Sequence, residues 1–117
     1  MTGGRIGSFD LCLPWPEAPS RTFDWVLCLE VMEHIPAELE SVALGNLDRF
    51  NRCGLVISWA VPGQGGQEHV NEQPNRHAVG WFSARGYAHD RDAQQLLRRA
   101  ARIDWFNNSL MVFRRRD

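Results

Sequence analysis

Glu30, Glu33 and His34 follow directly on an apolar run, Phe23-Asp-Trp-Val-Leu-Cys-Leu29, and their types and spacing suit chemistry. Two carboxylates and an imidazole so close together can accept or donate a proton near neutral pH, or fix the orientation of a polar ligand. Their position adds to this. Open α/β sheets receive ligands in the crevice outside the carboxyl ends of their strands, and these three residues stand where such a strand would end. His69, in the glycine- and glutamine-rich segment Pro62 to His69, is a second candidate for a base or a substrate contact; the plainer reading is a solvated loop histidine. Glu30, Glu33 and His34 with a later histidine also invite a metal reading, because hard divalent cations favour oxygen-rich ligand sets. Against it stands a carboxylate and an imidazole that cap the N-terminus of the next helix. No metal ligand set is assigned.

The elements that must position these residues follow from the hydrophobic pattern. Phe23 to Leu29 reads as a buried strand, rich in aromatic and branched residues and preceded by a Pro/Ser-rich segment. Pro36 suits the first position of a helix, and Leu39, Val42, Ala43, Leu47 and Phe50 recur at steps of three and four. That helix is expected to end between Asn51 and Gly54, with Gly54 as a left-handed cap. Gly54 to Ala60 is a second continuous apolar strand of the kind covered on both faces. Two such strands about one helix make a βαβ unit, whose right-handed crossover sets them parallel with their carboxyl ends on one edge. The segment from Pro62 to about Gln73 then hangs as a mobile loop over the same crevice as Glu30. A helix over Pro74 to Ala84, a short strand at Tyr87 to His89, a helix over Arg91 to Arg102 and a last strand over Ser109 to Arg114 complete the chain. At the other end, Ile6 to Leu13 can form a short strand, stopped by Pro14 and Pro16.

Composition bounds the reading. A chain of 117 residues, 44% hydrophobic and 23% charged, has the make-up of one globular domain, so residues 1–117 are read as a single unit. A formal net charge of −1 gives no general reason to expect nucleic acid or an acidic membrane as partner. Every basic residue is arginine, so no lysine is present to form a Schiff base or clamp a phosphate. Three widely spaced cysteines without a CxxC pair suit reduced thiols in a cytoplasmic protein, and no apolar run approaches the ~18 residues of a membrane span. Cys28 reads as a small buried hydrophobe, His77 and His89 as surface or helix residues, and Trp59, Trp81 and Trp105 as core aromatics; Trp15 could cover one end of a site.

The stretch Phe23-Asp24-Trp25-Val26, the block Glu30-Val31-Met32-Glu33-His34-Ile35 and the Gly54 to Gly66 strand and loop together resemble the C-terminal half of a class I S-adenosylmethionine-dependent methyltransferase. The resemblance covers roughly residues 8 to 114 and implies a Rossmann-like α/β sheet of parallel strands with an antiparallel C-terminal strand. By position it implies that Asp10 and Leu11 face the adenine of S-adenosylmethionine and that Leu29, Glu30 and Val31 line its methionine end. Glu33 and His34 would face cofactor or substrate, the loop around His69 would close over the acceptor, and His34 or His69 would serve as base. Only nine residues precede Asp10, so the glycine-rich cofactor loop of that family is missing and the sheet reads as truncated. Two readings stay open: a methyltransferase-like domain acting on an unknown small-molecule acceptor, inactive alone if the missing part is essential, and a non-catalytic fragment or interaction module of the same fold. In either case the missing strands would leave the Phe23 strand with an unpaired edge, open to a second copy of the chain.

Overall fold

The computed structural model describes residues 10–15 and 21–116. Four strands, β1 (Phe23–Cys28), β2 (Asn51–Ser58), β3 (Tyr87–His89) and β4 (Leu110–Arg115), form one sheet in the order β1-β2-β4-β3. The helices are α1 (Glu40–Phe50), α2 (Asn75–Ser83), α3 (Arg91–Ala100) and the single turn α4 (Phe106–Ser109). β1 and β2 run parallel with Cys28 opposite Ile57, as the crossover argument requires, and β4 runs antiparallel to both β2 and β3. The expected α/β architecture with an antiparallel last strand is therefore present.

Side chains alternate across this sheet with the period of two that a pleated strand imposes. Leu55 and Ile57 of β2 and Met111 and Phe113 of β4 point into a core shared with Ala43, Leu44 and Leu47 of α1, Met32, and Ala78 and Phe82 of α2. Val56 and Val112 point the other way, into a shallow hollow that Ala93, Leu96 and Leu97 of α3 share. The β3 end is stitched to the junction of α1 and β2 by a polar knot. The Tyr87 hydroxyl donates to Asp48 at 2.7 Å and accepts from Asn51 at 2.8 Å. Arg115 lies over the Tyr87 ring and donates to Asp48 and to Asn51.

Several expectations need correction. β1 is not a strand buried on both faces: Phe23, Trp25 and Leu27 are exposed, Leu27 by 69%, because no described strand pairs with its outer edge and α3 lies over β4. Leu29 falls outside it. Gly54 does not cap a helix. α1 ends at Phe50, β2 starts at once at Asn51, and Gly54 sits inside β2 opposite Trp25 and Arg114. A Cβ there would lie 2.2 Å from the Phe113 carbonyl oxygen and 2.8 Å from the Trp25 ring, so close strand approach, not a left-handed turn, requires the glycine. Pro36 opens a 3-10 turn, Ala37–Leu39, and the α-helix begins one turn later.

Of the N-terminal strand expected over Ile6 to Leu13, residues 6–9 lie outside the described residues. The remainder is a turn, with Leu13 N–H donating to the Asp10 carbonyl at 3.1 Å. It does not reach the β1 edge, because Asn46 on α1 donates to both the Leu11 and Leu13 carbonyls at 2.9 Å. α3 stops at Ala100 rather than Arg102 and buries Gln94 while leaving Leu96 exposed. Trp59 is core, Trp81 is half-buried, and Trp105 is exposed, since α4 is too short to fold it inward.

Candidate functional site

Two features are built on β1, one along its length and one just past its carboxyl end. The first is an open cavity of about 660 Å³ between β1, α1 and the Leu11 segment, lined by Leu11, Val26, Leu29, Val31, Leu47 and Phe50 among others. Three of the positions assigned to cofactor binding, Leu11, Leu29 and Val31, therefore meet on one apolar wall. Asp10 does not join them. It is exposed, and its carboxylate accepts the Cys12 N–H at 2.9 Å, so it caps its own turn. Trp15 packs edge-on against Phe50 at 5.3 Å between ring centroids, and it is Phe50 that lines the cavity.

The second feature is the acid and imidazole cluster, built by a sharp exit from β1. Glu30 adopts φ 59°, a left-handed conformation that costs a residue with a Cβ about 1–3 kcal/mol and is concentrated at functional sites. Ser58, the last residue of β2, holds it there: its Oγ accepts the Glu30 N–H at 2.8 Å and faces the Glu30 carboxylate at 3.4 Å. The chain then makes a 3-10 turn, Met32–His34, which carries Glu33 inward and His34 outward.

Glu33 is fully buried. One carboxylate oxygen, Oε1, accepts the Ala60 N–H at 3.0 Å just beyond β2, and its main-chain carbonyl accepts the N–H groups of Val70 and Asn71 at 2.9 and 3.0 Å. The expected flexible loop thus lies over the crevice but is braced to it. Glu72 completes the brace by accepting the N–H groups of Gly63 and Gly65 and the His69 Nδ1–H, the last at 2.8 Å. Gly63 and Gly65 both have positive φ, which lets their two amides, one residue apart, converge on one carboxylate. The brace brings the His69 ring edge-on to His34, 4.9 Å between centroids, so the two candidate bases stand together. His77 pairs instead with Glu40, and His89 with Gln94.

The electrostatics follow from this packing. Burial, and then the negative charge of Glu33, raise the Glu30 carboxyl above its ordinary range. Glu72 is held below it, chiefly by the His69 hydrogen bond and then by the Gly65 N–H. Burial pushes the Cys28 thiol up to about 12, so it stays a thiol at neutral pH. Sequence reasoning missed Ser58, Glu72 and Asn46, the three side chains that set this geometry. Ser58 and Asn46 carried a signal, a polar residue at a position where the pattern calls for an apolar one.

No protein-family model matches the chain, and the search of curated proteins finds no match. Among solved structures, its fold is similar to that of magnesium protoporphyrin IX methyltransferase (ChlM) from Synechocystis PCC 6803 with bound SAH, at a TM-score of 0.61 over 92% of this chain and 17% identity. The chain has a methyltransferase-like fold. It spans 49% of that neighbour, about half its length. Among the described residues no helix is long and apolar enough to cross a membrane.

Proposed function

We propose that this chain corresponds to the C-terminal half of a class I S-adenosylmethionine-dependent methyltransferase domain with a Rossmann-like sheet. What supports the reading is a methyltransferase-like sheet on which Leu11, Leu29 and Val31 line a single apolar cavity, with His34, on the turn that follows Val31, meeting His69. The cavity takes the cofactor, with Leu29 and Val31 at its methionine end, and the imidazoles stand where an acceptor enters. Methyl transfer is an in-line displacement in which an acceptor lone pair attacks the methyl carbon, the C–S bond breaks, and its electron pair returns to sulfur. The protein need only align the partners and, for a hydroxyl or amine acceptor, take up the proton released; the ring of His34 or His69 does this when its Nε2 is free.

Calorimetric titration of the chain with S-adenosylhomocysteine tests the reading. Micromolar binding at one site per chain supports it, and silence at millimolar ligand favours the other reading, an interaction module of the same fold. A specific feature supports that second reading: the open edge of β1, where Phe23, Trp25 and Leu27 are exposed and a further strand from another copy or chain would pair. Sedimentation of the isolated chain separates a monomer from a dimer formed through this edge.

A further inference from the structure

We infer that the sheet edge where β1 and β2 begin is a docking surface for single-stranded nucleic acid, built from the rings of Phe23 and Trp25 and the guanidinium groups of Arg21, Arg52, Arg114 and Arg116. The formal charge of the whole chain is −1, but it is unevenly spread. Eight of the thirteen basic residues fall within residues 85–116, where three acidic residues accompany them. β4 runs antiparallel to β2 with Arg114 opposite Gly54, which returns the arginines that end β4 to the side of Arg52 at the start of β2. Between Phe23 and Trp25 the β1–β2 register slips by one residue; the extra residue lies on β2, and Arg52 and Cys53 are left exposed there. Two of the four guanidiniums have acidic partners, Arg52 with Asp24 and Arg114 with Asp90. Arg21 and Arg116 have none among the described residues, so the edge keeps a positive surplus.

A patch of cations alone would serve any polyanion, and the rings narrow the class. Phe23 and Trp25 are 46% and 40% exposed and stand two residues apart on one strand, hence on one face and about 7 Å from each other. That is roughly twice the ~3.4 Å between successive nucleotides of a stacked strand, so each ring receives one base of an extended single strand. A guanidinium lies beside each ring, Arg21 at 5.2 Å from the Phe23 centroid and Arg114 at 4.9 Å from the Trp25 centroid. Arg85 closes on Trp81 at 3.6 Å, so by comparison the pairs on β1 are open: a base lies on the ring while the guanidinium turns to the adjoining phosphate. Gly54 permits the arrangement, because it stands between Trp25 and Arg114 with no side chain to part them. A duplex hides the base faces that the rings need, which leaves the single strand as the form that fits. The surface lies at the opposite end of β1 from Glu30 and His34 and stands independently of the cofactor reading.

Fluorescence anisotropy of short fluorescein-labelled oligo(dT) and oligo(U), titrated with the full-length chain and no S-adenosyl compound, tests the surface. Saturable micromolar binding is expected, and with about three phosphates met it should weaken roughly 20-fold between 50 and 200 mM salt. Trp25→Ala should weaken binding about 5–150-fold and Trp25→Phe much less, since a stacking face remains. Arg116→Ala changes an exposed residue and should both weaken binding and lower the salt slope by ~0.7. Trp105→Ala removes an exposed ring elsewhere and should leave binding unchanged, with circular dichroism confirming that each variant folds. Absence of saturable binding at roughly 0.1 mM chain in low salt would overturn the inference. So would parent affinity in both Trp25→Ala and Arg116→Ala, equal affinity for a blunt duplex of the same length, or capture by phosphatidylserine vesicles in preference to either oligomer.

Discussion

Replacing Gly54 with alanine should unfold more of this protein than any other change of one methyl group. The added carbon would start 2.2 Å from the Phe113 carbonyl oxygen, whereas a carbon and a carbonyl oxygen in adjacent strands rest at ~3.3 Å or more. β4 would have to retreat from β2 by roughly 1 Å, enough to break the ladder hydrogen bonds around the Gly54 and Arg114 pair, each worth about 0.5–1.5 kcal/mol net. The Trp25 ring, 2.8 Å away on the other side, blocks the escape toward β1. Overpacking of this kind costs about 1–3 kcal/mol, and the broken pairs bring the sum to ~4 kcal/mol. Alanine recovers about 0.5–1 kcal/mol of chain entropy, leaving a net loss of ~3 kcal/mol. In a domain of this size that lowers the melting temperature by roughly 12 °C.

Gly45→Ala is the internal control. Gly45 lies in α1 with nothing within 4 Å of its added carbon, so the same substitution should raise stability by about 0.5–1 kcal/mol. Thermal unfolding by circular dichroism, read against urea unfolding for the slope, checks both. If Gly54→Ala melts within roughly 2 °C of the parent, the close approach of β2 and β4 is not what selects the glycine.

Two further outcomes follow from burial and capping. Iodoacetamide at neutral pH should label exposed Cys53 readily and half-buried Cys12 more slowly, but leave Cys28 unmodified until urea opens the fold; early labelling of Cys28 would contradict its placement in the core. Asp90 caps α3 through the Ala93 N–H at 3.0 Å and also meets Arg114, and the two hold its carboxyl below the ordinary range. A lowered folded value means stability that is present above the unfolded pKa and fades as pH falls through the folded one. Asp90→Ala should therefore cost about 1 kcal/mol in urea unfolding at pH 7 and less near pH 3, and an equal cost at both pH values would refute the charged cap.

The strands of this fold were legible because their apolar runs are long and bounded by loops, and the parallel pairing of β1 and β2 followed from one helix lying between them. Burial of β1 was not legible. Phe23, Trp25 and Leu27 read as core because an apolar strand looks the same whether or not something covers it. Gly54 was misplaced for a related reason: a glycine after an amphipathic run has the local signature of a helix cap, and only the partner strands show that its missing side chain is needed for strand approach. At the site, the sequence named His34 and His69 but not that they meet. Their meeting depends on Glu72 gathering the Gly63 and Gly65 amides, a tertiary bond that no spacing rule encodes. Asp10 was assigned by position within a resemblance, and its own turn claims its carboxylate.

The flank of β1 that no described strand pairs also constrains symmetry. Two identical copies joined there about a two-fold axis perpendicular to the sheet must set their β1 strands antiparallel, and this isologous contact saturates at two subunits. The result would be a continuous eight-stranded sheet in which the carboxyl ends of the two β1 strands point in opposite directions. A neighbour lying parallel to β1 cannot come from such a pair, so the polarity of whatever strand docks there distinguishes self-association from completion by a different polypeptide segment.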